Sequence, residues 1–362
     1  MTIGTIGQSG AGKVKRKAVA ALKKVQRKLE GEGPVERVVP QNTPAPLSWL
    51  DVMLATPGIS KTVEERIAMT VSCKDADYIP KVKGAGGIKT IKGKKYQVMH
   101  NGLLVELGGY FDEWMATIIT QLDGHHEPQE EKLFYEVVNR LPKGSSMIEL
   151  GAYWAYYSLW FNRAVKDAQN YCCEPDPVNL ALGKRNAKIN ELKNMEFIAA
   201  AAGKNDGEMI SFTPQEGGRP DVTVPIRSID GIVEEYGIEK LGLAHMDVQG
   251  AELSALEGAL ESIKSGKIRF LFVSTHHYTI SGEILMHEKC LELIKNYGGH
   301  IVAEHAIHES FSGDGLIVAS FSEEDKNWTV PISANRMQDG LFRPYNRDLA
   351  ALVEAYNEQA KR

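Results

Sequence analysis

The sequence predicts an α/β protein: a mostly parallel sheet covered by helices on both faces, with one antiparallel strand at its C-terminal end. Two patterns and one bulk property predict it. After Pro142, short apolar runs at 147–150, 170–173, 196–200, 241–248 and 268–274 alternate with helical patterns near 153–165, 177–190, 251–264 and 283–296, as in a chain of strand–helix–strand crossovers. The last two strand candidates, 300–304 and 315–319, are joined by a short polar loop, which cannot cross over to a parallel neighbour and so implies an antiparallel pair. Finally, 362 residues with 43% apolar and 25% charged side chains describe an ordinary globular chain, long enough for one large domain and an accessory region.

The bulk numbers also narrow the partners and the compartment. A net charge of −5 gives no whole-chain reason to expect nucleic acid. No apolar run approaches the roughly 18 residues needed to span a bilayer. The N-terminus lacks the apolar core of a secretory signal. Cys73, Cys172, Cys173 and Cys290 form no C-x-x-C pair, so reduced thiols in a cytoplasmic protein are expected rather than a disulfide framework or a zinc knuckle.

Along the chain, residues 1–46 read as an extension and linker. Eight Lys or Arg and no acid occupy 13–28, with Val14, Ala18, Ala21, Leu22, Val25 and Leu29 at helical spacing. This basic amphipathic helix, 13–29, suits an anionic membrane surface or a partner, or else forms a solvated extension. Gly7 to Lys13 fit G-x-x-x-x-G-K, but Val14 stands where the phosphate loop needs a hydroxyl for magnesium, so nucleotide hydrolysis is rejected. Residues 47–141 form an accessory region: a helix at 61–72, a Gly/Lys-rich loop at 82–95, strands at 96–99 and 103–107, and a helix at 111–122. A helix opened by His125-His126-Glu127-Pro128-Gln129-Glu130-Glu131 follows, with Pro128 suited to its first turn. Residues 142–322 are the main domain. Residues 323–362 are a tail with a helix near 347–359, whose Asn335, Arg336, Phe342 and Arg343 either meet an acceptor or pack the tail.

In an open α/β sheet, ligands bind beyond the carboxyl ends of the strands. The first such turn runs Glu149-Leu150-Gly151-Ala152-Tyr153. Glu149 is placed to accept hydrogen bonds from an ammonium group, and Gly151 lets the backbone pass close to a ligand. A dinucleotide site would need G-x-G-x-x-G for its pyrophosphate. With one glycine present, the ligand is expected to have none. The second strand ends at Glu174-Pro175, where a carboxylate reads ribose hydroxyls. The third runs into Ala201-Ala202, small enough to leave room for an adenine ring.

The fourth strand gives His245-Met246-Asp247-Val248-Gln249-Gly250-Ala251-Glu252. Together with Arg227-Ser228-Ile229-Asp230 and Glu174-Pro175-Asp176-Pro177, this Asp-Val-x-Gly-Ala-Glu element resembles the FkbM family of S-adenosylmethionine-dependent methyltransferases over about 120–322. The resemblance implies the class I, Rossmann-like methyltransferase fold. It also implies S-adenosylmethionine as cofactor, with O-methylation of sugar, polysaccharide or natural-product hydroxyls. It assigns Glu149 and Gly151 to the methionine part, Glu174 to the ribose and Asp247 to the reacting centre. Ala155 stands where the family's first motif has a second glycine, which leaves a non-catalytic binding module on the same fold as the alternative.

Methylation of a hydroxyl needs its oxygen aligned about 3 Å from the methyl carbon and its proton removed. The candidates are His245 and Asp247 at the fourth strand and His276 and His277 at the end of the fifth. One of His276 and His277 is expected as the base, because neighbouring side chains point to opposite sides. A divalent ion held by His245, Asp247, His276 and His277 is not expected, since hard cations prefer carboxylates and this set is poor in them. His125 and His126 either close over the cofactor with Glu127 and Gln129 or cap their helix.

Overall fold

The computed structural model describes residues 61–214 and 219–335. The basic segment 13–29, the linker at 31–47, the tail helix at 347–359, and Arg336, Phe342 and Arg343 lie outside the described residues. In chain order the elements begin with α1 (Val63–Ser72), β1 (Ile88–Ile91), β2 (Lys94–Val98), β3 (Leu104–Glu106), α2 (Asp112–Gln121) and α3 (Pro128–Val138). There follow β4 (Ser146–Leu150), α4 (Tyr156–Ala164), β5 (Gln169–Cys173), α5 (Pro177–Ile189), β6 (Met195–Ile198), β7 (Ala201–Ala202), β8 (Met209–Phe212), β9 (Val222–Arg227) and α6 (Ile229–Glu235). The chain continues through β10 (Leu241–Met246), α7 (Glu252–Glu257), α8 (Leu260–Lys264), β11 (Ile268–Thr275), α9 (Tyr278–Ser281), α10 (Met286–Asn296), β12 (His300–His305) and β13 (Gly315–Ser320).

The central sheet has seven strands in the order β12-β13-β11-β10-β4-β5-β6. Strands β11, β10, β4, β5 and β6 run parallel, and β13 runs antiparallel to both of its neighbours. The strand order reverses between β4 and β10, which opens a crevice beyond their carboxyl ends. Strands β4 and β10 are buried at every position, as expected of parallel strands covered on both faces. Their side chains alternate between two apolar clusters. Met147, Leu243, Phe270 and Phe272 join one with α3 and α4, and Ile148, Leu150, Ala244, Met246, Leu271 and Val273 join the other with α6, α7 and α10.

Where the structure departs from the sequence pattern, two of the missed strands, β1 and β8, are exposed. The loop expected at 82–95 contains β1, whose residues face solvent and so show no alternation. Strands β7, β8 and β9 form a small three-stranded sheet that no apolar run announces. The helix expected at 251–264 is two short helices, α7 and α8, interrupted at Gly258–Ala259. At Gly258 a side chain would meet the Gly203 carbonyl at 2.6 Å. Among the described residues no helix is long and apolar enough to cross a membrane.

A close backbone approach lies just past the central strands of the sheet. Gly151 has φ +78°, and a Cβ there would sit 1.7 Å from the Asp247 carbonyl oxygen. Gly151→Ala is therefore expected to destabilise the protein by at least about 2 kcal/mol in urea unfolding. A change under about 0.5 kcal/mol would show that the two turns do not meet in this way.

Candidate active site

A cleft of about 520 Å³ opens at the carboxyl edge of the central strands. Its walls include Gly151 and Tyr153 after β4, Glu174 and Pro175 after β5, Ala201 and Ala202 of β7, and Asp247 with Gln249 after β10. Phe111, Phe212 and Ile280 add apolar surface. Phe111, Tyr153 and Gln249 all take left-handed backbone conformations, with φ of 44°, 45° and 49°. Such conformations are costly for residues with a side chain.

Glu174 is 5% exposed and fixed at both oxygens. Oε2 accepts the Tyr153 N–H at 2.8 Å and Oε1 the Asp176 N–H at 2.8 Å. Burial raises its pKa to about 7, against the lowering effect of those two N–H groups. Asp176 caps α5 by accepting the Val178 N–H and also pairs with Arg219 at 2.7 Å. Both carboxylates line the cleft, Asp176 being tied to the helix and to Arg219 as well.

Beside Glu174 lies a second group of charges. His276 is 2% exposed, with Nδ1 2.6 Å from Glu252 Oε1 and Nε2 3.2 Å from Asp247 Oδ1. Asp314, in the loop before β13, places Oδ1 3.8 Å from the same Nε2. Burial opposes charge on His276, but Asp314, Asp247 and Glu252 outweigh it and hold the ring as imidazolium, well above its ordinary pKa. Asp247 is correspondingly kept ionised, because His276 overcomes the effect of burial.

Behind this group, the start of α3 sends its carboxylates into the interior. Glu130 pairs with His245 Nε2 at 2.6 Å and accepts the Ser274 hydroxyl. Glu131 bonds His125 and, at 2.6 Å, His126 Nδ1. Glu127 accepts the Tyr157 hydroxyl at 3.0 Å and lies 3.2 Å from His126 Nε2. Burial works against charge on His126, yet Glu127 and Glu131 carry its pKa to about 10. His100, His125 and Glu131 bring donor atoms within 4.8 Å of one another, but the two imidazoles are stacked at 4.2 Å and 15° rather than convergent.

Of the residues singled out from sequence, Gly151, Tyr153, Glu174, Pro175, Ala201, Ala202 and Asp247 line the cleft. Glu149 and Ala152 do not. Glu149 shares a strand face with Met147, under the layer that contains α3 and α4. There its carboxylate accepts the Ser158 N–H at 3.2 Å instead of facing an ammonium group. His245, on the same face through its neighbour Leu243, is buried against Glu130, Tyr157 and Phe272. His277 caps α9 by accepting the Thr279 N–H, and burial lowers its pKa to about 4. His276 alone of the candidate histidines reaches Asp247, and as an imidazolium it has no lone pair for the role of base expected from sequence.

Three expectations outside the cleft also change. The histidine set is not poor in acids, because Glu130, Glu252 and Asp314 arrive from other elements. His125 and His126 neither close over the cleft nor cap α3; they are buried with Glu131. Gln129 instead ties α3 to the Ser333 carbonyl at 2.7 Å. Ala155, the departure behind the non-catalytic alternative, is fully buried, and its methyl group faces Gly183 of α5, away from the cleft. Asp314 and the positions of Glu127 and Glu130 were missed, since no motif spacing joins them to Asp247.

The strand order, the single reversed strand and a cleft at the reversal point define a class I methyltransferase fold. Residues 139–301 match the methyltransferase FkbM domain, and the chain is a methyltransferase with S-adenosylmethionine as its cofactor. The 2-O-methyltransferase NoeI of Sinorhizobium fredii is 26% identical over 46% of this chain and 81% of its own length. Methyltransferase sdnD of Sordaria araneosa is 23% identical over 35% of this chain and 64% of its own. A SAM-dependent methyltransferase from Aquifex aeolicus is 14% identical, covering 53% of this chain and 89% of that one, with a TM-score of 0.35.

If Glu174 receives two hydroxyl hydrogen bonds as a carboxylate, binding must tighten as pH rises through about 7. Calorimetry with S-adenosylhomocysteine should show stronger binding at pH 8 than at pH 6. Glu174→Gln should weaken it roughly ten- to a hundredfold, the worth of charge-assisted bonds, and remove most of the pH dependence. Unchanged affinity in the variant would exclude this carboxylate as a ligand group.

Proposed function

We propose that this methyltransferase O-methylates a hydroxyl of a sugar, polysaccharide or natural-product acceptor. The observation that supports this reading is Asp247: a carboxylate lining the cleft, held ionised by a buried imidazolium, next to a second carboxylate at Asp314. A hydroxyl must lose its proton as it is methylated, and carboxylates at the reacting edge supply acceptors for that proton. The 2-O-methyltransferase activity in the name of NoeI points to the same acceptor atom.

S-adenosylmethionine supplies an electrophilic methyl carbon when bound. The residues present fit it. Glu174 would hold the ribose, Ala201 and Ala202 leave space beside the adenine, and the bare backbone at Gly151 admits the remainder close to Asp247. Tyr153 contributes its N–H to Glu174 and so keeps that carboxylate facing the cleft. On this reading Asp247 orients the acceptor hydroxyl, and His276 fixes Asp247. The apolar walls at Phe111 and Ile280 limit the access of water.

The test is transfer of labelled methyl from S-adenosylmethionine to a panel of mono- and oligosaccharides, after titration calorimetry with the cofactor. Label should appear on carbohydrate oxygen. Asp247→Asn should lower turnover at least about a hundredfold while cofactor affinity changes less than about threefold. No binding at millimolar cofactor would overturn the enzyme reading, and label found only on amines would overturn the acceptor.

A further inference from the structure

We propose that Asp314 is the base of the reaction, taking the proton of the acceptor hydroxyl, and that Glu252 positions it through His276. This rests on the methyltransferase reading above and extends it to a residue outside every motif of the domain. The geometry is specific. His276 is clasped from two sides, Nδ1 by Glu252 at 2.6 Å and Nε2 by Asp247 at 3.2 Å and Asp314 at 3.8 Å. Glu252 is wholly buried, whereas the side chains of Asp247 and Asp314 are 37% and 36% exposed. Two of the three carboxylates around one imidazolium therefore open outward. Glu252 also accepts the Gly250 N–H at 3.0 Å, which ties the clasp to the turn that lines the cleft.

The loop that carries Asp314 is shaped for this contact. Gly313 has φ 135°, and a Cβ at Gly315 would stand 2.5 Å from Thr275 Oγ1. Glycine on both sides thus allows the loop to lie against the end of β11, directly beside His276.

The two open carboxylates differ in basicity. Asp247 is held ionised by the nearer imidazolium contact, which makes it a weak proton acceptor. Partial desolvation of this half-buried side chain raises Asp314 to about 7, against the pull of His276. The charges facing it from neighbouring elements are Asp247, Glu127 and Glu130, which add to the rise, and Arg66 of α1 together with the Tyr110 hydroxyl. A base poised near neutrality suits proton removal at physiological pH. In the step, the hydroxyl oxygen bonds the methyl carbon as the carbon–sulfur bond breaks, the bonding pair remains on sulfur, and the hydroxyl proton passes to the Asp314 carboxylate.

One consequence needs no acceptor. A positive sulfonium beside Asp314 must favour its ionised form, so binding of the charged cofactor expels a proton that binding of the uncharged thioether product does not. Calorimetry at pH 6.5 in buffers of different ionisation enthalpy counts the protons released. S-adenosylmethionine should release more than S-adenosylhomocysteine, by an amount approaching about one proton. Glu174 meets the ribose common to both ligands and cancels from the difference. Asp314→Asn should abolish the difference and leave affinity for S-adenosylhomocysteine within about twofold. Glu252→Gln should move the pH midpoint of the difference upward, since an imidazole freed of its partner neutralises and no longer lowers the Asp314 pKa. Equal proton release by the two ligands in the unaltered protein would overturn the proposal, as would a difference that survives in Asp314→Asn. Failure of both ligands to bind would overturn the methyltransferase reading itself.

Discussion

The contact on which the site depends is the passage of the Gly151 backbone against the Asp247 carbonyl. Strands β4 and β10 are hydrogen-bonded neighbours up to Leu150 and Met246, and the Asp247 N–H continues the ladder by donating to the Leu150 carbonyl at 2.9 Å. Gly151 and Ala152 then turn toward β5, both donating to the Cys173 carbonyl. Three strand ends are thereby joined at one point. Glu174, the residue after Cys173, and Asp247 are held on either side of a turn that no side chain fills. Glycine permits this because it tolerates positive φ and has no Cβ.

From that point the charges follow by layer. Glu149 and His245 emerge on the strand face covered by α3 and α4, where Glu149 accepts the Ser158 N–H of α4 and His245 pairs with Glu130 of α3. Buried carboxylates and imidazoles survive only when paired, and here Glu130 with His245 and Ser274, and Glu127 with Tyr157, cross from the accessory region into the main domain. The accessory region is consequently part of the site and not an appendage. It supplies the charges that hold His245 and His126 as cations behind the reacting edge.

Most of the sheet could be read from the sequence because its parallel strands are buried on both faces and therefore appear as continuous apolar runs. Strands β1 and β8 could not, since they are short and largely exposed. The cleft residues Gly151, Glu174 and Asp247 were legible for a topological reason: each follows a strand at the edge where such sheets bind ligands. Glu149 and His245 misled because position along a strand does not reveal what covers its face. His276 misled differently. Its place was anticipated, but its charge is set by Glu252 and Asp314, the latter from a loop with no recognisable spacing to the fourth strand.

The central claim is that a cofactor lies across the joined ends of β4, β5 and β10. A crystal structure of the protein with S-adenosylhomocysteine tests it most directly. The account predicts ribose hydroxyls on the Glu174 carboxylate and the sulfur atom beside the Gly151–Asp247 contact, with Asp314 facing the same space. Ligand density elsewhere, or a ribose out of reach of Glu174, would contradict it.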